Sequence, residues 1–494
     1  MKRALRFAGL ALVAVVAVVL VRAARFASLQ PEVTAYTPLF VEAQQVANRL
    51  AGGLRFATVS SQDASELDAE AFRGFHRYLE ESYPRVHRTL ARETVNDWSL
   101  LYTWRGRDPS LQPVLLAAHI DVVPVDAGSA EDWTHPPFEG VVADGFVWGR
   151  GAMDDKGSLF CMLEAIEGLL AERFVPQRTV HLAFGHDEEV GGERGATEIA
   201  RLLGARGARL AFVIDEGGMV VEPGTVPGLA RRIAAIGIAE KGSVSIALDA
   251  VTDGGHSSTP PRNTAVGVVA AAVTALERSP LPARIDGTTA LFFDYLGPEL
   301  SFPLRAVVAN RWLFGPLLEL ALSQTPATDA MLRTTTAATL VEGGVKENVL
   351  PIRARAVVNF RIHPSDSIDA VVEHVRSVVD DERIALQVGL RSEPREPSPV
   401  SPVDSEAFGE IARAAREIFP DSVAVPFLVL GGTDARHYVE TTPRLYRFAP
   451  FEFGRDGLKR AHGTDERISV ENLISGVRFY RRLLERSAGP AAGP

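Results

Sequence analysis

The chain has little cysteine and no excess of positive charge. Its 494 residues include one cysteine, Cys161, so neither an intrachain disulfide nor a thiolate zinc site is available. The formal net charge is −10 at pH 7, which does not suit a protein that must neutralise nucleic-acid phosphates. Heptads, internal repeats and long low-complexity tracts are also missing. These absences argue against a disulfide scaffold, a nucleic-acid binder and a coiled coil, and favour a globular chain of at least two domains.

The N-terminus differs from the rest of the chain. Three basic residues precede a uniformly apolar run at 8–21, and Arg22 and Arg25 follow it. Such a pattern is typical of export signals, so residues 1–30 are predicted to be a signal anchor or a signal peptide. Cleavage stays open, and the anchor is favoured because no small-residue cleavage site is clear. Both alternatives place the chain outside the cytoplasm, periplasmic or secreted, and an anchor would hold it to a membrane through residues 8–21.

Strands alternate with helices over residues 39–241, and buried strands such as PVLLAAHID are almost continuously apolar. This pattern predicts an α/β domain with a mostly parallel sheet flanked by helices. The order changes to βαββαβ over 242–392, which predicts a ferredoxin-like α+β domain inserted into the first. An apolar insertion at 283–333 interrupts it, and residues 393–494 are predicted to return to the first domain after a Pro-rich linker.

Acidic residues and histidines gather where predicted strands end. They are His119 and Asp121 in HID, Asp154 and Asp155 in GRGAMDDKG, Asp187, Glu188 and Glu189 in GHDEEVGG, Asp215 in FVIDEGG, and His462 in AHGTDERI. Each segment alone is typical of a solvated strand end or a helix cap. Together they indicate a ligand site at the carboxyl edge of a sheet, where metal ions would offset the repulsion between carboxylates. Oxygen and imidazole ligands without thiolate suit Zn, Mn or Co, and two ions that share a carboxylate suit a hydrolase.

Three of these segments resemble the signatures of a known family. LAAHIDVVPV, VWGRGAMDDKGS and GHDEEVGG are similar, in order and spacing, to those of the co-catalytic zinc metallopeptidases that include aminoacylase and bacterial glutamate carboxypeptidase. The resemblance runs from about residue 40 to 486 and is closest to the branch of yeast Gly-X carboxypeptidase and the secreted N-fatty-acyl-amino-acid synthase/hydrolase. It implies a zinc-exopeptidase-like catalytic domain, with the inserted domain serving as a lid.

The resemblance also implies a metal site. One ion would be bound by His119, Asp154 and Asp215, and the other by Asp154, Glu189 and His462. Two Zn²⁺ ions are expected, and Co²⁺ or Mn²⁺ suit the same ligands. The family has a cis peptide after the bridging aspartate, here between Asp154 and Asp155.

Further roles follow from the same resemblance. Asp121 would orient the ring of His119, Glu188 would be the general base for a metal-activated water, and His256 would stabilise the oxyanion, often across a dimer. The expected substrate contacts are Asn348, Arg361, which would bind a free carboxylate, and the backbone N–H groups of Gly432 and Thr433. A homodimer through the lid domain is expected on the same basis.

The chain is therefore predicted to be a dinuclear zinc hydrolase of the amide bond of N-acyl amino acids, including N-fatty-acyl amino acids, in a reversible reaction. The alternative is a metallocarboxypeptidase that cleaves dipeptides or short peptides. A non-catalytic binding protein would lack a ligand, and a two-metal phosphoesterase would have more basic residues near the site. Phe302, Trp312 and Phe314 in the insertion would form an apolar wall for an acyl chain or pack against the lid core or a membrane surface.

Overall fold

A computed structural model describes residues 2–33, 36–37, 39–126, 128–390, 393–454 and 457–490. The predicted segment boundaries at residues 1, 392 and 494 lie outside these ranges. The helices are α1 (Lys2–Arg25), α2 (Ala43–Leu54), α3 (Ala69–Ser82), α4 (Pro84–Thr89), α5 (Lys156–Ala171), α6 (Ala196–Ala205), α7 (Ala265–Arg278), α8 (Gly287–Leu296), α9 (Phe302–Ala309), α10 (Arg311–Leu322), α11 (Pro326–Leu332), α12 (Ile368–Val379), α13 (Glu406–Ile418) and α14 (Val470–Ala488). The strands are β1 (Ala91–Val95), β2 (Ser99–Trp104), β3 (Val114–His119), β4 (Val141–Ala143), β5 (Phe146–Trp148), β6 (Val180–Gly185), β7 (Phe212–Asp215), β8 (Met219–Val221), β9 (Ile233–Glu240), β10 (Gly242–Val251), β11 (Gly255–His256), β12 (Thr335–Gly343), β13 (Val349–Leu350), β14 (Arg353–Ile362), β15 (Ile384–Val388), β16 (Val423–Val429), β17 (Leu445–Arg447), β18 (Glu452–Phe453) and β19 (Arg467–Ser469).

A ten-stranded mixed sheet forms the centre of the molecule. Its order is β1-β2-β6-β3-β7-β17-β9-β8-β18, and β16 pairs with β9. The pairs β3–β6, β3–β7, β7–β17 and β9–β16 are parallel. Every residue of β3, β6 and β7 is buried, which explains why these strands are nearly continuous in apolar sequence. The predicted α/β fold is confirmed.

Helices cover both faces of this sheet. A large core joins the sheet to α2, α5, α13 and α14, and a smaller core joins it to α6 through Ile199 and Leu203. Cys161 of α5 is buried in the large core, as the apolar spacing around it predicts. Because both faces are covered, polar side chains that serve a site are confined to the strand ends and their loops.

A second sheet is built from strands within residues 242–388. Its order is β12-β14-β10-β15, and all its pairs are antiparallel. Helices α7 and α12 pack on one face through residues that include Leu276 and Val371. The order β10-α7-β12-β14-α12-β15 is the predicted βαββαβ arrangement, with α8–α11 inserted between α7 and β12.

The first helix of the insertion packs against the central sheet. Phe293 and Leu296 of α8 lie in a core with Val423 and Val425 of β16, so the insertion packs against the central sheet. β9 and β16 present an apolar surface at this end of the central sheet, and α8 covers it. Phe302, Trp312 and Phe314 do not belong to this core, so the roles expected for them stay predictions.

Helix α1 meets the rest of the chain at the insertion. Residues 3–25 form a helix that is long and apolar enough to cross a membrane, by length and composition only. Asn310, between α9 and α10, donates from Nδ2 to the carbonyl of Val19 over 3.1 Å, and Arg22 donates from Nε to the carbonyl of Ala309 over 3.2 Å. The C-terminal end of α1 is thus fixed to the insertion.

Candidate metal centre

His119 ends β3, and its imidazole ring is buried among carboxylates. Nε2 lies 2.9 Å from Oδ1 of Asp154 and 3.5 Å from Oε1 of Glu216. Nδ1 faces the other way, 3.3 Å from Oδ1 of Asp121. The hydrogen-bond partner of Nδ1 is the backbone carbonyl oxygen of Asp121 at 3.0 Å, and a ring-orienting role for the carboxylate stays a prediction.

Asp154 joins two groups of potential ligands. The first is His119, Asp154 and Glu216, and the second is Asp154, Glu189 and His462. Within each group, the potential ligand atoms lie within 4.8 Å of one another. In the second group Nε2 of His462 lies 3.0 Å from Oδ2 of Asp154 and 3.1 Å from Oε2 of Glu189. A single carboxylate shared by two groups is the arrangement that a pair of metal ions needs.

The structure differs from the sequence-based expectation at Asp215. Its buried carboxylate accepts hydrogen bonds from the backbone N–H groups of Glu216, over 3.0 Å, and Ala435, over 2.6 Å. Glu216, rather than Asp215, contributes the carboxylate beside His119. Consecutive residues at a strand end point to opposite sides, so only one of the two can face the site. The sequence signal for Glu216 as a ligand was its position as the second acidic residue of IDEGG.

Asp121 also fixes the acidic turn after β6. Its Oδ1 accepts from the N–H of Glu188 over 3.2 Å, and its Oδ2 accepts from the N–H of Glu189 over 3.1 Å. Asp187 is buried, and its Oδ2 accepts from the N–H of Arg194 over 2.8 Å. The three adjacent acids therefore differ in role: Asp187 closes the loop, Glu189 joins the second group, and Glu188 belongs to neither group.

A buried ion pair that the sequence analysis missed holds the loop before Asp154. Arg150 donates from Nη1 to Oε2 of Glu466 over 2.6 Å, and Glu466 also accepts from the N–H groups of Gly151 and Met153. Arg150 reaches the carbonyl of His462 from Nη2 over 3.1 Å. This pair ties the loop of Asp154 to the segment of His462, two regions distant in sequence. The Asp154–Asp155 peptide is cis, as expected.

The electrostatics of the cluster suit bound cations. Burial and the charge of Asp154 raise the pKa of Glu216 to about 8, and burial raises the pKa of Glu188 and of Glu189. Hydrogen bonds to Asp154 and Glu189 raise the pKa of His462 to about 10. Oε1 of Glu189 is buried without a hydrogen-bond partner. The donor set of carboxylates and imidazoles therefore fits metal ions, which would supply the missing positive charge.

The residues expected from the second domain lie in a different environment. His256 and Asn348 are exposed, and the pairing of β11 with β13 brings their segments together. His256 interacts through Nδ1 with the hydroxyl of Ser258 over 2.7 Å, and the carbonyl of Asn348 accepts from the N–H of Ser257. Among the contacts of the described ranges, none joins His256 or Asn348 to either ligand group.

Arginines surround the loop that begins at Gly431. A Cβ on Gly432 would lie 3.0 Å from Nη1 of Arg436 and 3.3 Å from Nη1 of Arg395. Burial and the positive charges of Arg436 and Arg361 lower the pKa of Arg395, and Glu188 is among the charges that act on it. Arg361 itself is exposed at the end of β14. Arg395 was missed because its segment was assigned to a linker.

The expectation for Thr433 needs a correction. Its N–H donates to Oε2 of Glu240 over 2.6 Å, so it is already used within the protein. Glu240 is buried and also pairs with Arg447 over 3.0 Å, which fixes this loop to the end of β9. A substrate carboxylate at this loop would therefore depend on Gly432 and the arginines.

The fold and the two ligand groups define a metal-dependent hydrolase of α/β architecture. Residues 115–486 match the model of peptidase family M20/M25/M40, and the chain belongs to this family. The family predicted from the three segments is confirmed.

Two relatives and one solved structure are similar over most of their length. The chain is 40% identical over 485 residues to the probable carboxypeptidase S-like 2 of Dictyostelium discoideum, covering 96% of this chain and 92% of that protein. It is 40% identical over 456 residues to the N-fatty-acyl-amino acid synthase/hydrolase PM20D1 of Mus musculus, covering 91% of this chain and 89% of that protein. The M20 family metallo-carboxypeptidase Sso-CP2 from Sulfolobus solfataricus has the same fold, with a TM-score of 0.64 at 18% identity, over 90% of this chain and 99% of that one.

Proposed function

We propose that the protein hydrolyses the amide bond of N-acyl amino acids, with N-fatty-acyl amino acids as the substrate class, in a reaction that can also run towards synthesis. The observation that carries the proposal is the pair of ligand groups joined at Asp154, with Glu188 beside them. The similarity to the mouse synthase/hydrolase, 40% identity over 91% of this chain, supports the substrate class.

We propose zinc as the metal. His119, Asp154 and Glu216 would hold one ion, and Asp154, Glu189 and His462 the other. Such a pair polarises a bound carbonyl and makes water more acidic. Co²⁺ and Mn²⁺ accept the same nitrogen and oxygen donors, so they are expected to substitute.

Glu188 would move the proton. Its backbone is fixed by Asp121, and its carboxylate is in neither ligand group, so it stays free to accept a proton. Burial raises the pKa of Glu188, which makes its carboxylate a stronger base than an exposed glutamate. It would take the proton of the attacking water and return it to the leaving nitrogen.

The amino-acid carboxylate would bind on the side of the second domain. Arg361 is exposed at the end of β14, and its charge acts on Arg395 beside Gly432. A guanidinium group matches a carboxylate with two parallel hydrogen bonds. Arg361 and Arg395 would therefore hold the carboxylate, with Asn348 as a further contact.

His256 would act on the oxyanion from a partner subunit. β12 is an edge strand of the second sheet, and Leu340 and Val341 on it are exposed, which suits pairing with a second copy. The insertion packs on the central sheet, and β12 stands at the end of the strand order of the second sheet. Mixing inactive Glu188→Gln and His256→Ala proteins should then restore about a quarter of the wild-type activity, because half of the random dimers contain one complete site. No recovery on mixing would exclude action in trans.

Residues 8–21 would anchor the protein in a membrane. The end of α1 is fixed to the insertion through Asn310, and Trp312 donates from Nε1 to Oδ1 of Asn310. Trp312, Leu317 and Leu320 of α10 are exposed beside this junction. An aromatic ring next to the end of an apolar helix is typical of a membrane interface, so α10 would lie on the same membrane.

A panel of substrates tests the function. The full chain in detergent micelles, supplied with zinc, should hydrolyse N-oleoyl-phenylalanine with a higher kcat/KM than N-acetyl-phenylalanine or glycyl-phenylalanine. The similarity to the Dictyostelium discoideum carboxypeptidase S-like protein favours the dipeptide as the second candidate. A higher kcat/KM for glycyl-phenylalanine than for N-oleoyl-phenylalanine would overturn the proposed substrate class. Absence of zinc-dependent hydrolysis of all three substrates would overturn the amide chemistry.

A further inference from the structure

A large cavity lies between the insertion and the central sheet. Its volume is about 570 Å³, which is within the range of small-molecule sites in proteins, about 300–1,000 Å³. Phe292, Phe293 and Met331 line it from α8 and α11, and Ala235 and Phe427 line it from β9 and β16. The cavity therefore exists because the insertion packs on this sheet.

The lining of the cavity is apolar. None of the described residues that line it carries a charge. Two of its threonines use their hydroxyl groups within the protein: Thr289 donates to the carbonyl of Met331 over 2.7 Å, and Thr328 donates to the carbonyl of Leu322. Thr225 is the third threonine of the lining, and the remaining lining residues have apolar side chains or are glycines, so the cavity offers little to water and suits an apolar ligand.

The cavity begins next to the metal centre. Gly217 and Gly431 form part of its wall, and they are the chain neighbours of Glu216 and Gly432. Gly217 has φ +98°, and a Cβ there would lie 3.1 Å from Cγ2 of Thr433 and 3.2 Å from a methyl carbon of Val429. A larger residue would crowd this end, so the glycine leaves space in the part of the cavity nearest to Glu216 in the chain.

We propose, on the basis of the function proposed above, that this cavity binds the acyl chain of the N-fatty-acyl amino acid. The amide would lie at the ligand groups, and the carboxylate of the amino acid at Arg361 and Arg395. The hydrocarbon chain would pass Gly217 and enter the space between α8, α11 and β16. The position of Gly217 next to Glu216 in the chain and the lack of charge in the lining distinguish this occupant from a peptide, whose backbone would need polar partners.

Filling the cavity tests the assignment. Met331→Trp places a large ring in the cavity from α11, and Leu322→Trp does so from α10, so the result does not depend on one variant folding. The control is Val175→Trp, because Val175 is exposed between α5 and β6 and does not line the cavity. Since each buried methylene strengthens binding about fourfold, the ratio of kcat/KM for N-oleoyl-phenylalanine to that for N-acetyl-phenylalanine should fall at least tenfold in a filled variant. The control should leave the ratio unchanged.

A binding measurement separates the cavity from the chemistry. The fluorescent fatty acid cis-parinaric acid should bind the wild-type protein, be displaced by oleate, and bind a folded filled variant at least tenfold more weakly. If it does so while no N-acyl amino acid is hydrolysed, the cavity assignment stands and the proposed function fails. If N-oleoyl-phenylalanine is hydrolysed and both folded filled variants keep the wild-type ratio, the proposed function stands and the cavity assignment is overturned.

Discussion

The end of the central sheet and the facing surface of the second domain hold their functional side chains in different ways. His119, Asp121 and Asp215 are buried at the strand ends, and each makes hydrogen bonds that fix its direction. His256 and Arg361 are exposed, on a two-residue strand and at a strand end. The first region is held together by hydrogen bonds within one chain, whereas among the described contacts none joins His256 or Arg361 to either ligand group.

This difference indicates which part of the reaction each region serves. Buried and interlinked carboxylates do not need to reorganise when charge develops, so they suit the chemical step. Exposed side chains on a separate sheet suit the capture of substrate, because they gain their contacts only when it is bound. Substitutions in the first region should therefore reduce kcat or metal content, and substitutions in the second should mainly raise KM.

Glu188→Gln should have the largest effect. Glutamine keeps the size of the side chain but cannot accept the proton, so kcat should fall by about 10²–10⁴-fold. Metal content should stay near that of the wild type, because Glu188 is in neither ligand group. Steady-state kinetics together with metal analysis by mass spectrometry check both parts. Glu193→Gln, in the exposed part of the same loop, is the matched control. Loss of metal from Glu188→Gln would mean that this residue is a ligand rather than a base.

The central sheet was predictable from the sequence because its signals are local. PVLLAAHID and TVHLAFG are mostly apolar, and β3 and β6 are buried at every position. The ends of these strands also indicated His119 and the acidic turn at 187–189. In each case hydropathy and position within one short segment were sufficient.

Features that depend on distant segments were missed. Choosing between Asp215 and Glu216 requires knowing that the N–H of Ala435, which is remote in sequence, binds Asp215. The ion pair of Arg150 with Glu466 could not be predicted either, because its two residues are distant in sequence. The insertion was recognisable as apolar, but its partner strand β16 lies about a hundred residues further along the chain, so its packing could not be predicted.

Glu216→Gln compared with Asp215→Asn sharpens the assignment of the metal ligands. Glu216→Gln should remove most of the metal from one of the two sites, because an amide is a much weaker ligand than a carboxylate. Asp215→Asn should keep both metals but lower the affinity about 10–100-fold, since Asp215 acts through the backbone of Glu216. Metal content after dialysis against a range of free zinc concentrations measures both. If Asp215→Asn loses more metal than Glu216→Gln, Asp215 rather than Glu216 is the ligand.

Arg361→Ala tests the second region. Removing a charge-assisted hydrogen bond of about 1.5–3 kcal/mol should raise KM for an N-acyl amino acid roughly 10- to 100-fold, with a smaller change in kcat. Arg353→Ala is the matched control, because Arg353 is exposed at the other end of β14. Equal effects of the two substitutions would show that Arg361 acts only through the overall charge of the strand.

The pH dependence of zinc binding should be the mildest of these effects and should be confined to the first region. The pKa of His462 without metal is raised to about 10 by its hydrogen bonds to Asp154 and Glu189, so zinc must displace a proton at any lower pH. Affinity should therefore rise about tenfold per pH unit up to pH 10. At the other site, formed by His119, Asp154 and Glu216, the affinity should also rise with pH below pH 8, because the pKa of Glu216 is raised to about 8 and zinc must displace its proton there. Chelator competition between pH 6 and 9 measures the slope, and a flat profile would contradict it.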